Sequence, residues 1–261
     1  MRPFISLQNK WIRTVIALTF WLLVWHGLAA WVGTALLLPG PLLVGRTLLD
    51  MLWGLFSAPL ENTGFLEATG FSLLGVLTGF AIGVAAGSLL AVLTWASPLL
   101  DAIFSPFLRV VRTTPVASFI ILALLWLSNR VVPMVIAALM VAPILWSSTK
   151  TALEETDKSL LEMARVYGFS PFRTFRLIYL PQLLPQWTAA AATAMGLAWK
   201  SGIAAEVLAQ PSPAMGTNLF RAKLYLNTDQ LFAWTVLVVL LSFLLERLFV
   251  RAMARLGRRY T

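Results

Sequence analysis

Long apolar runs recur along almost the whole chain, and they constrain its fold more than any other feature. Of the 261 residues, 59% are hydrophobic and only 12% are charged. A soluble domain needs a charged surface around its core, so this balance is typical of a protein that lies in lipid. A bilayer core about 30 Å thick is crossed by about 20 apolar residues of helix. We therefore expect an all-α membrane protein.

Six segments are long and apolar enough to be candidate spans. They are Thr14–Val32, Phe65–Leu93, Ile103–Leu127, Val131–Trp146, Leu183–Leu208 and Leu231–Val250. The fourth contains Pro133 and Pro143, so its ends are the hardest to place. The first follows basic residues as a signal peptide would, but its apolar stretch is longer than a usual signal-peptide core. We interpret it as an uncleaved span.

The positive charges between the spans predict the orientation, because cytoplasmic connections carry an excess of Lys and Arg. With the N-terminus inside, four basic residues fall outside, Lys200 lies within a span, and fifteen fall in the cytoplasm. Those fifteen are Arg2, Lys10, Arg13, Arg109, Arg112, Lys150, Lys158, Arg165, Arg173, Arg176, Arg247, Arg251, Arg255, Arg258 and Arg259. Both termini are therefore predicted to be cytoplasmic.

Two further segments are predicted to lie at the membrane surfaces. The stretch LLLPGPLLVGRTLLDMLWGLF, from Leu36, is apolar but carries prolines, Arg46 and Asp50. It is typical of an amphipathic helix on the outer interface rather than of a seventh span. The tail ERLFVRAMARLGRRY is a basic helix end that anionic lipid of the inner leaflet attracts.

Composition excludes several classes of function. The formal net charge is +9, but the basic residues lie between apolar spans, whereas a nucleic-acid-binding domain carries its basic residues on one polar face. Cysteine is absent, and the only histidine, His26, has no second donor of its kind, so we expect no metal site. No catalytic residues are expected either, because no nucleophile is paired with a histidine base. The chain has no GxxxxGK[ST] phosphate loop and should bind no cofactor.

Glycine recurs every four residues in the second span, at Gly75, Gly79, Gly83 and Gly87. Such a row leaves one helix face without side chains, so that a neighbouring helix can approach closely. We predict that this face packs against another span.

The segment EMARVYGFSPFRTFRLIYLP, residues 162–181, interrupts the apolar pattern. Thr156 or Asp157 can cap a short helix, which Gly168 can end in a left-handed conformation. Ser170 and Pro171 then begin a second helix. Apolar residues predict one ridge along the pair: Leu160, Leu161, Ala164 and Tyr167, then Phe172, Phe175 and Ile178, as far as Pro181. The pattern alone fits either an interfacial loop or a docking element for a cytoplasmic protein.

The same segment resembles the EAA motif of bacterial ABC importer permeases, written E-A-A-x3-G-x9-I-x-L-P. Six of the seven positions match, and Met163 replaces the second residue of the motif. The segments LPGPLLV, RTTPVASFIILALLW, LAWKSGIAAEVL and NTDQLFAWTVLVVLLSFLLERLF resemble the nitrate, sulfonate and taurine branch of these permeases. The matching positions of the motif are Glu162, Ala164, Gly168, Ile178, Leu180 and Pro181.

The resemblance implies a single permease domain, residues 1–261, with the type I ABC importer (MetI-like) architecture. Residues 150–181 would form its cytoplasmic coupling loop, which inserts into a cleft of an ATPase subunit. The implied coupling residues are Glu162, Ala164, Tyr167, Gly168, Phe169 and Pro171. The implied assembly is a permease homodimer with an ATPase dimer, which binds ATP and Mg, and an extracytoplasmic solute-binding protein. Transport would be inward, by alternating access, in the bacterial inner membrane.

Lys200 lies within the fifth span, where a charge costs about 2.5 to 3.5 kcal/mol on insertion scales. It could attract an anionic solute along the pathway, or it could pair with a carboxylate. Glu206 is six residues further on, about 120° round the helix, so pairing along one face is poor. Arg109 and Arg112 are interpreted as anchors near the inner end of the third span. The alternative to an importer is a self-sufficient secondary carrier or channel, which usually shows an internal repeat.

Overall fold

The computed structural model describes residues 10–57 and 63–257, and within these ranges it contains helices and no strand. Arg2, Arg258 and Arg259, which entered the orientation argument, lie outside the described residues. The α-helices are α1 (Lys10–Val32), α2 (Pro41–Ser57), α3 (Thr63–Ala96), α4 (Pro98–Thr113), α5 (Val116–Ala123), α6 (Val132–Glu154), α7 (Lys158–Val166), α8 (Pro171–Thr174), α9 (Leu180–Ala209), α10 (Met215–Leu224) and α11 (Thr228–Gly257); a π-helix (Phe175–Tyr179) joins α8 to α9.

The helices fall into two compact units. One comprises residues 1–65 and 218–237, and the other comprises residues 66–217 and 238–261. In the first unit, the Trp25 indole donates a hydrogen bond to the carbonyl oxygen of Pro39 at 3.1 Å and stacks on Phe232. The Thr47 hydroxyl donates to the Asp229 carboxylate at 3.1 Å. These contacts join α1, α2 and the beginning of α11 within that unit.

The second unit is organised around α6, which packs most extensively on α9. One buried cluster brings α4, α5, α6 and α9 together; its members are Val111, Ile120, Val132, Ile136, Met140, Ala205 and Ala209. Two polar contacts support α6 and α9 on the side of α3. The Trp146 indole donates to the Thr94 hydroxyl at 2.9 Å, and the Trp187 indole donates to the Ser88 hydroxyl at 3.0 Å.

Four described helices are long and apolar enough to cross a membrane, and the bent pair α4 and α5 makes a fifth if it counts as one span. The four correspond to the predicted first, second, fourth and sixth spans. The predicted fifth span, Leu183–Leu208, lies entirely within α9 but falls short of the same criterion. The structure therefore confirms the all-α membrane fold but not the count of six. The predicted interfacial segment forms α2, which is too short to be counted as a span.

The third span is not one straight helix, as the apolar run Ile103–Leu127 had suggested. Helices α4 and α5 meet at an angle of 106°. Pro115 disfavours the helical conformation at the residue before it, and Thr114 is extended, with φ −76° and ψ 137°. The sequence TTP therefore ends α4 inside the apolar run.

The glycine row of α3 meets the backbone of α6 at three of its four positions. A Cβ atom added at Gly79, Gly83 or Gly87 would lie less than 3.0 Å from a carbonyl oxygen of α6. Those oxygens belong to Met134, Ala138 and Ala142, so the contact advances by four residues on both helices, which run parallel. Gly75 has no neighbouring atom within 4 Å of its added Cβ, so the close contact begins one turn later than expected.

Gly83→Leu is expected to destabilise the folded protein by about 1 to 3 kcal/mol, because its side chain would collide with Ala138 and Val141. Gly75→Leu is the matched control, since the same side chain enters open space there. The measurement is the thermal unfolding midpoint of both variants in one detergent. Equal midpoints for the two variants would contradict the packing described.

Candidate functional site

The cytoplasmic coupling segment predicted over residues 150–181 consists of two short capped helices. The Asp157 side chain caps α7 by accepting a hydrogen bond from the Ser159 backbone N–H at 2.8 Å. The Ser170 hydroxyl caps α8 by accepting from the Arg173 N–H at 3.3 Å, with Pro171 in the first turn. Of the two caps proposed for α7, Asp157 is the one used, while Thr156 is buried and donates to the Ala152 carbonyl oxygen.

Gly168 forms the bend between the two helices. Its φ of +64° lies in the left-handed region that an L side chain rarely adopts, which confirms the expected conformation. The Phe169 N–H then donates to the Ala164 carbonyl oxygen at 2.8 Å, and the Gly168 N–H donates to that of Arg165 at 3.1 Å. These bonds end α7 in the manner of a helix C-cap. The direction in which α8 leaves α7 therefore depends on this glycine.

The predicted apolar ridge separates into an inner and an outer set of side chains. Ala164 is buried, and Leu161 and Phe169 help to line a groove of about 440 Å³ against Val92 and Trp95. On the outside, 84% of Val166, 73% of Tyr167 and 73% of Phe172 are exposed; Glu162 is exposed as well. The inner set attaches the segment to the second unit. The outer set leaves an apolar surface that no other part of the described chain covers.

The second helix of the segment does not end at Pro181, as the sequence had suggested. From Pro171 the chain runs through α8 and the π-helix into α9 without a helical break. Pro181 lies inside this continuous helix, two residues after the end of the π-helix. The second helix of the predicted coupling segment and the predicted fifth span are thus one continuous helix.

The Asp157 carboxylate is stabilised mainly by the Ser159 hydroxyl, which donates to it at 2.8 Å, and then by the Ser159 N–H. These bonds hold the pKa of Asp157 below its usual range. The cap therefore contributes stability above the ordinary aspartate pKa. That contribution is lost as the pH falls through the lowered pKa of the folded state.

Lys200 lies on an exposed face of α9, in a groove of about 400 Å³. Thr193 and Gly196 line the groove on α9, and Glu246 lines it on α11. Among the residues that the structure describes, no carboxylate lies within 4.0 Å of the Lys200 ammonium group. The pairing with Glu206 that the sequence left open is not formed.

Glu206 points into the protein and not into that groove. Its side chain is 1% exposed, and it accepts hydrogen bonds from the Ser72 hydroxyl at 2.8 Å and the Gly216 N–H at 2.9 Å. The Ser72 hydroxyl in turn accepts from the Met215 N–H at 3.0 Å. The carboxylate and the serine thus satisfy two free N–H groups in the first turn of α10, where a negative charge is favoured.

Sequence analysis missed Ser72 and Gly216, although Glu206 gave a signal for them. A carboxylate inside a span must find donors, but those donors lie 134 and 10 residues away along the chain. Gly216 also has a steric reason to be glycine, because an added Cβ would collide with Glu206. No local pattern announces either residue.

Ser72→Ala is expected to lower the free energy of unfolding by about 1 to 3 kcal/mol, because the Met215 N–H loses its acceptor and Glu206 loses a donor. Ser201→Ala is the control, since the Ser201 hydroxyl is equally buried but bonds only within its own helix. The thermal unfolding midpoint of each variant measures the effect. An equal loss in both variants would argue against the Glu206 network.

A protein family and several known proteins are similar to large parts of this chain. Residues 83–260 match the family described as "Binding-protein-dependent transport system inner membrane component". The chain is 25% identical over 248 residues to a protein named as the aliphatic sulfonates transport permease SsuC of Bacillus subtilis, which covers 94% of this chain and 86% of that one. It is 27% identical over 206 residues to the nitrate import permease NrtB of Synechocystis, covering 76% and 72%. It is 24% identical over 184 residues to the taurine transport system permease TauC of Escherichia coli, covering 69% and 62%.

Solved structures share the fold. An inward-facing structure of the MetNI methionine ABC transporter has a TM-score of 0.62 at 19% identity, covering 78% of this chain and 99% of that chain. A structure of an amino acid ABC transporter with histidines has a TM-score of 0.57 at 17% identity, covering 78% and 97%. These likenesses support the MetI-like architecture, and the relatives confirm the resemblance to the nitrate, sulfonate and taurine branch.

Proposed function

Because the chain belongs to the family of binding-protein-dependent transport system inner membrane components, we propose that it carries a small organic or inorganic anion inward by alternating access. It is the multi-pass permease subunit of an ABC importer, and its relatives are transport proteins rather than enzymes. The proposal concerns what the permease carries, what drives it and which surfaces take part.

The observation that carries the proposal is the coupling segment. Val166, Tyr167 and Phe172 form an exposed apolar surface beside a left-handed glycine, at the beginning of the continuous helix that includes α9. A patch of this kind fits a protein partner better than water. We assign it to a cytoplasmic ATPase dimer, which binds ATP and Mg, whereas this chain binds no cofactor. Docking at Tyr167 and Phe172 would then act directly on the helix that carries Lys200.

The rest of the assembly follows from this assignment. A second copy of the permease completes the pathway as a homodimer, and a solute-binding protein delivers the solute at the outer face. Both termini lie in the cytoplasm, as the distribution of Lys and Arg predicts. The apolar exterior of α1, none of whose span is buried within the chain, faces lipid.

An anionic solute is supported by two independent observations. Lys200 presents a cation to an open groove that Glu246 also lines, and no carboxylate among the described residues lies within 4.0 Å of its ammonium group. The relatives are named for sulfonates, taurine, nitrate and bicarbonate. A cation inside a span lowers the cost of moving an anion through apolar surroundings.

Gly168→Val is expected to uncouple the ATPase from the permease, because a left-handed Val costs about 1 to 2 kcal/mol and redirects α8. Solute-stimulated ATP hydrolysis and co-purification of the ATPase should both fall, while membrane insertion persists. Gly168→Asn is the matched control, since Asn tolerates this conformation, and it should retain most of the coupling. Full stimulation in well-expressed Gly168→Val would refute the coupling assignment.

Lys200→Met keeps the length and packing of the side chain but removes its charge. If Lys200 serves the solute, the assembled complex should hydrolyse ATP at its basal rate and lose most of its transport, whereas Lys200→Arg should retain a measurable part. The measurement is solute uptake into proteoliposomes that contain the purified complex. Uptake by Lys200→Met at the parental rate would remove Lys200 from the pathway.

A further inference from the structure

A second charged pocket lies between α4 and α6, apart from α7, α8 and the Lys200 groove. Its volume is about 240 Å³. Its lining combines cationic, hydroxyl and apolar side chains: Leu108, Arg109, Arg112, Pro143, Trp146, Ser147, Lys150, Thr151 and Glu154. We refer to it as the α4–α6 pocket.

The pocket extends along about three turns of α6. Along α6 it reaches from Glu154 to Pro143, and Pro143 lies seven residues before Lys150, which is about 10 Å of helix. Arg112 lines this pocket, and the adjacent Val111 belongs to the buried cluster that contains Met140. Both arginines of α4 line the pocket together with residues of α6.

The charges around the pocket are unequally compensated. The Lys150 ammonium group lies 2.6 Å from an Asp101 carboxylate oxygen and 3.7 Å from one of Glu154. Arg109 and Arg112 are exposed, and no carboxylate among the described residues lies within 4.0 Å of either guanidinium group. The negative end of the α4 dipole, about half a charge, offsets only part of these two positive charges. Two guanidinium groups that line one pocket without a carboxylate partner among the described residues are therefore available to an anion.

We propose that the α4–α6 pocket binds an oxyanion of the phosphate or sulfonate type. Guanidinium groups match such oxygens in pairs of parallel hydrogen bonds, and Ser147 and Thr151 add hydroxyl donors. Leu108, Pro143 and Trp146 form an apolar wall for a short organic group attached to the anion. This chemistry has two sources, a free organic oxyanion or the headgroup of an anionic phospholipid.

The pocket does not depend on the proposed transport function, because its residues lie on α4 and α6 and include neither the exposed residues assigned to ATPase docking nor any residue of the Lys200 groove. Only its placement on the cytoplasmic side rests on the proposed orientation. A free organic anion in the pocket would be a second station for the solute, nearer the inner surface than Lys200. A phospholipid would be a structural ligand that compensates the two arginines.

The first arm of the test measures binding of a free anion. The full chain is placed in nanodiscs of phosphatidylcholine, and sulfate and ethanesulfonate are titrated by calorimetry at constant ionic strength. Arg109→Gln and Arg112→Gln should each weaken binding about tenfold or more, since each removes a charge-assisted bond. Arg251→Gln, which alters an exposed arginine of α11 outside the pocket, should leave binding unchanged. The effect of each arginine variant should persist when it is combined with Lys200→Met, which separates this site from the proposed pathway.

The second arm tests for a phospholipid. The chain is purified from membranes that contain phosphatidylglycerol, and the lipid retained is measured by native mass spectrometry. Loss of retained phosphatidylglycerol in both pocket variants, with retention in Arg251→Gln, would support a headgroup site. Unfolding midpoints confirm that the compared variants are folded. If an arginine variant is not folded, Ser147→Ala, which keeps every charge, is tested in its place. If neither arm distinguishes the pocket variants from Arg251→Gln, the proposal is wrong.

Discussion

The close approach of α3 to α6 is the contact on which the second unit depends. Lipid supplies no hydrophobic force between spans, so two helices associate through van der Waals contact and require small residues to achieve it. Gly79, Gly83 and Gly87 supply these on α3 and bring its backbone to the carbonyl oxygens of α6. With α6 fixed in this way, its other faces support α4 and α9, which carry the arginines and Lys200.

A second constraint acts where the spans turn. Buried backbone N–H groups in a membrane have no water to bond with, so side chains must satisfy them. Glu206 and Ser72 do this for the first turn of α10. Glu206 and Lys200, only six residues apart on one helix, therefore have opposite environments. The carboxylate of Glu206 accepts hydrogen bonds from Ser72 and from the backbone of Gly216, while Lys200 lies in an open groove.

Sequence reasoning succeeded where one local rule decides a conformation. Gly168 before a capped helix predicts its left-handed conformation, and a four-residue glycine repeat predicts close packing. It failed where two elements compete or distant residues meet. The bend at Thr114 and Pro115 lies inside an apolar run. Gly75 belongs to the four-residue repeat but makes no close contact with α6. Ser72, the partner of Glu206, lies 134 residues away along the chain. The continuity of α8 with α9 was not predicted, because the apolar ridge of the second helix was followed only as far as Pro181.

The π-helix at Phe175–Tyr179 lies between two surfaces of one continuous helix, the surface around Phe172 and the surface around Lys200. It sets the angle between them round the helix axis. A single π-turn accommodates one residue more than an α-turn, which shifts everything on its far side by about 100° round the axis. The angle between Phe172 and Lys200 round the helix therefore differs by about 100° from the angle that an unbroken α-helix would give. Removing one residue from the π-helix would rotate the surface around Phe172 relative to the surface around Lys200. No side chain of either surface would be changed.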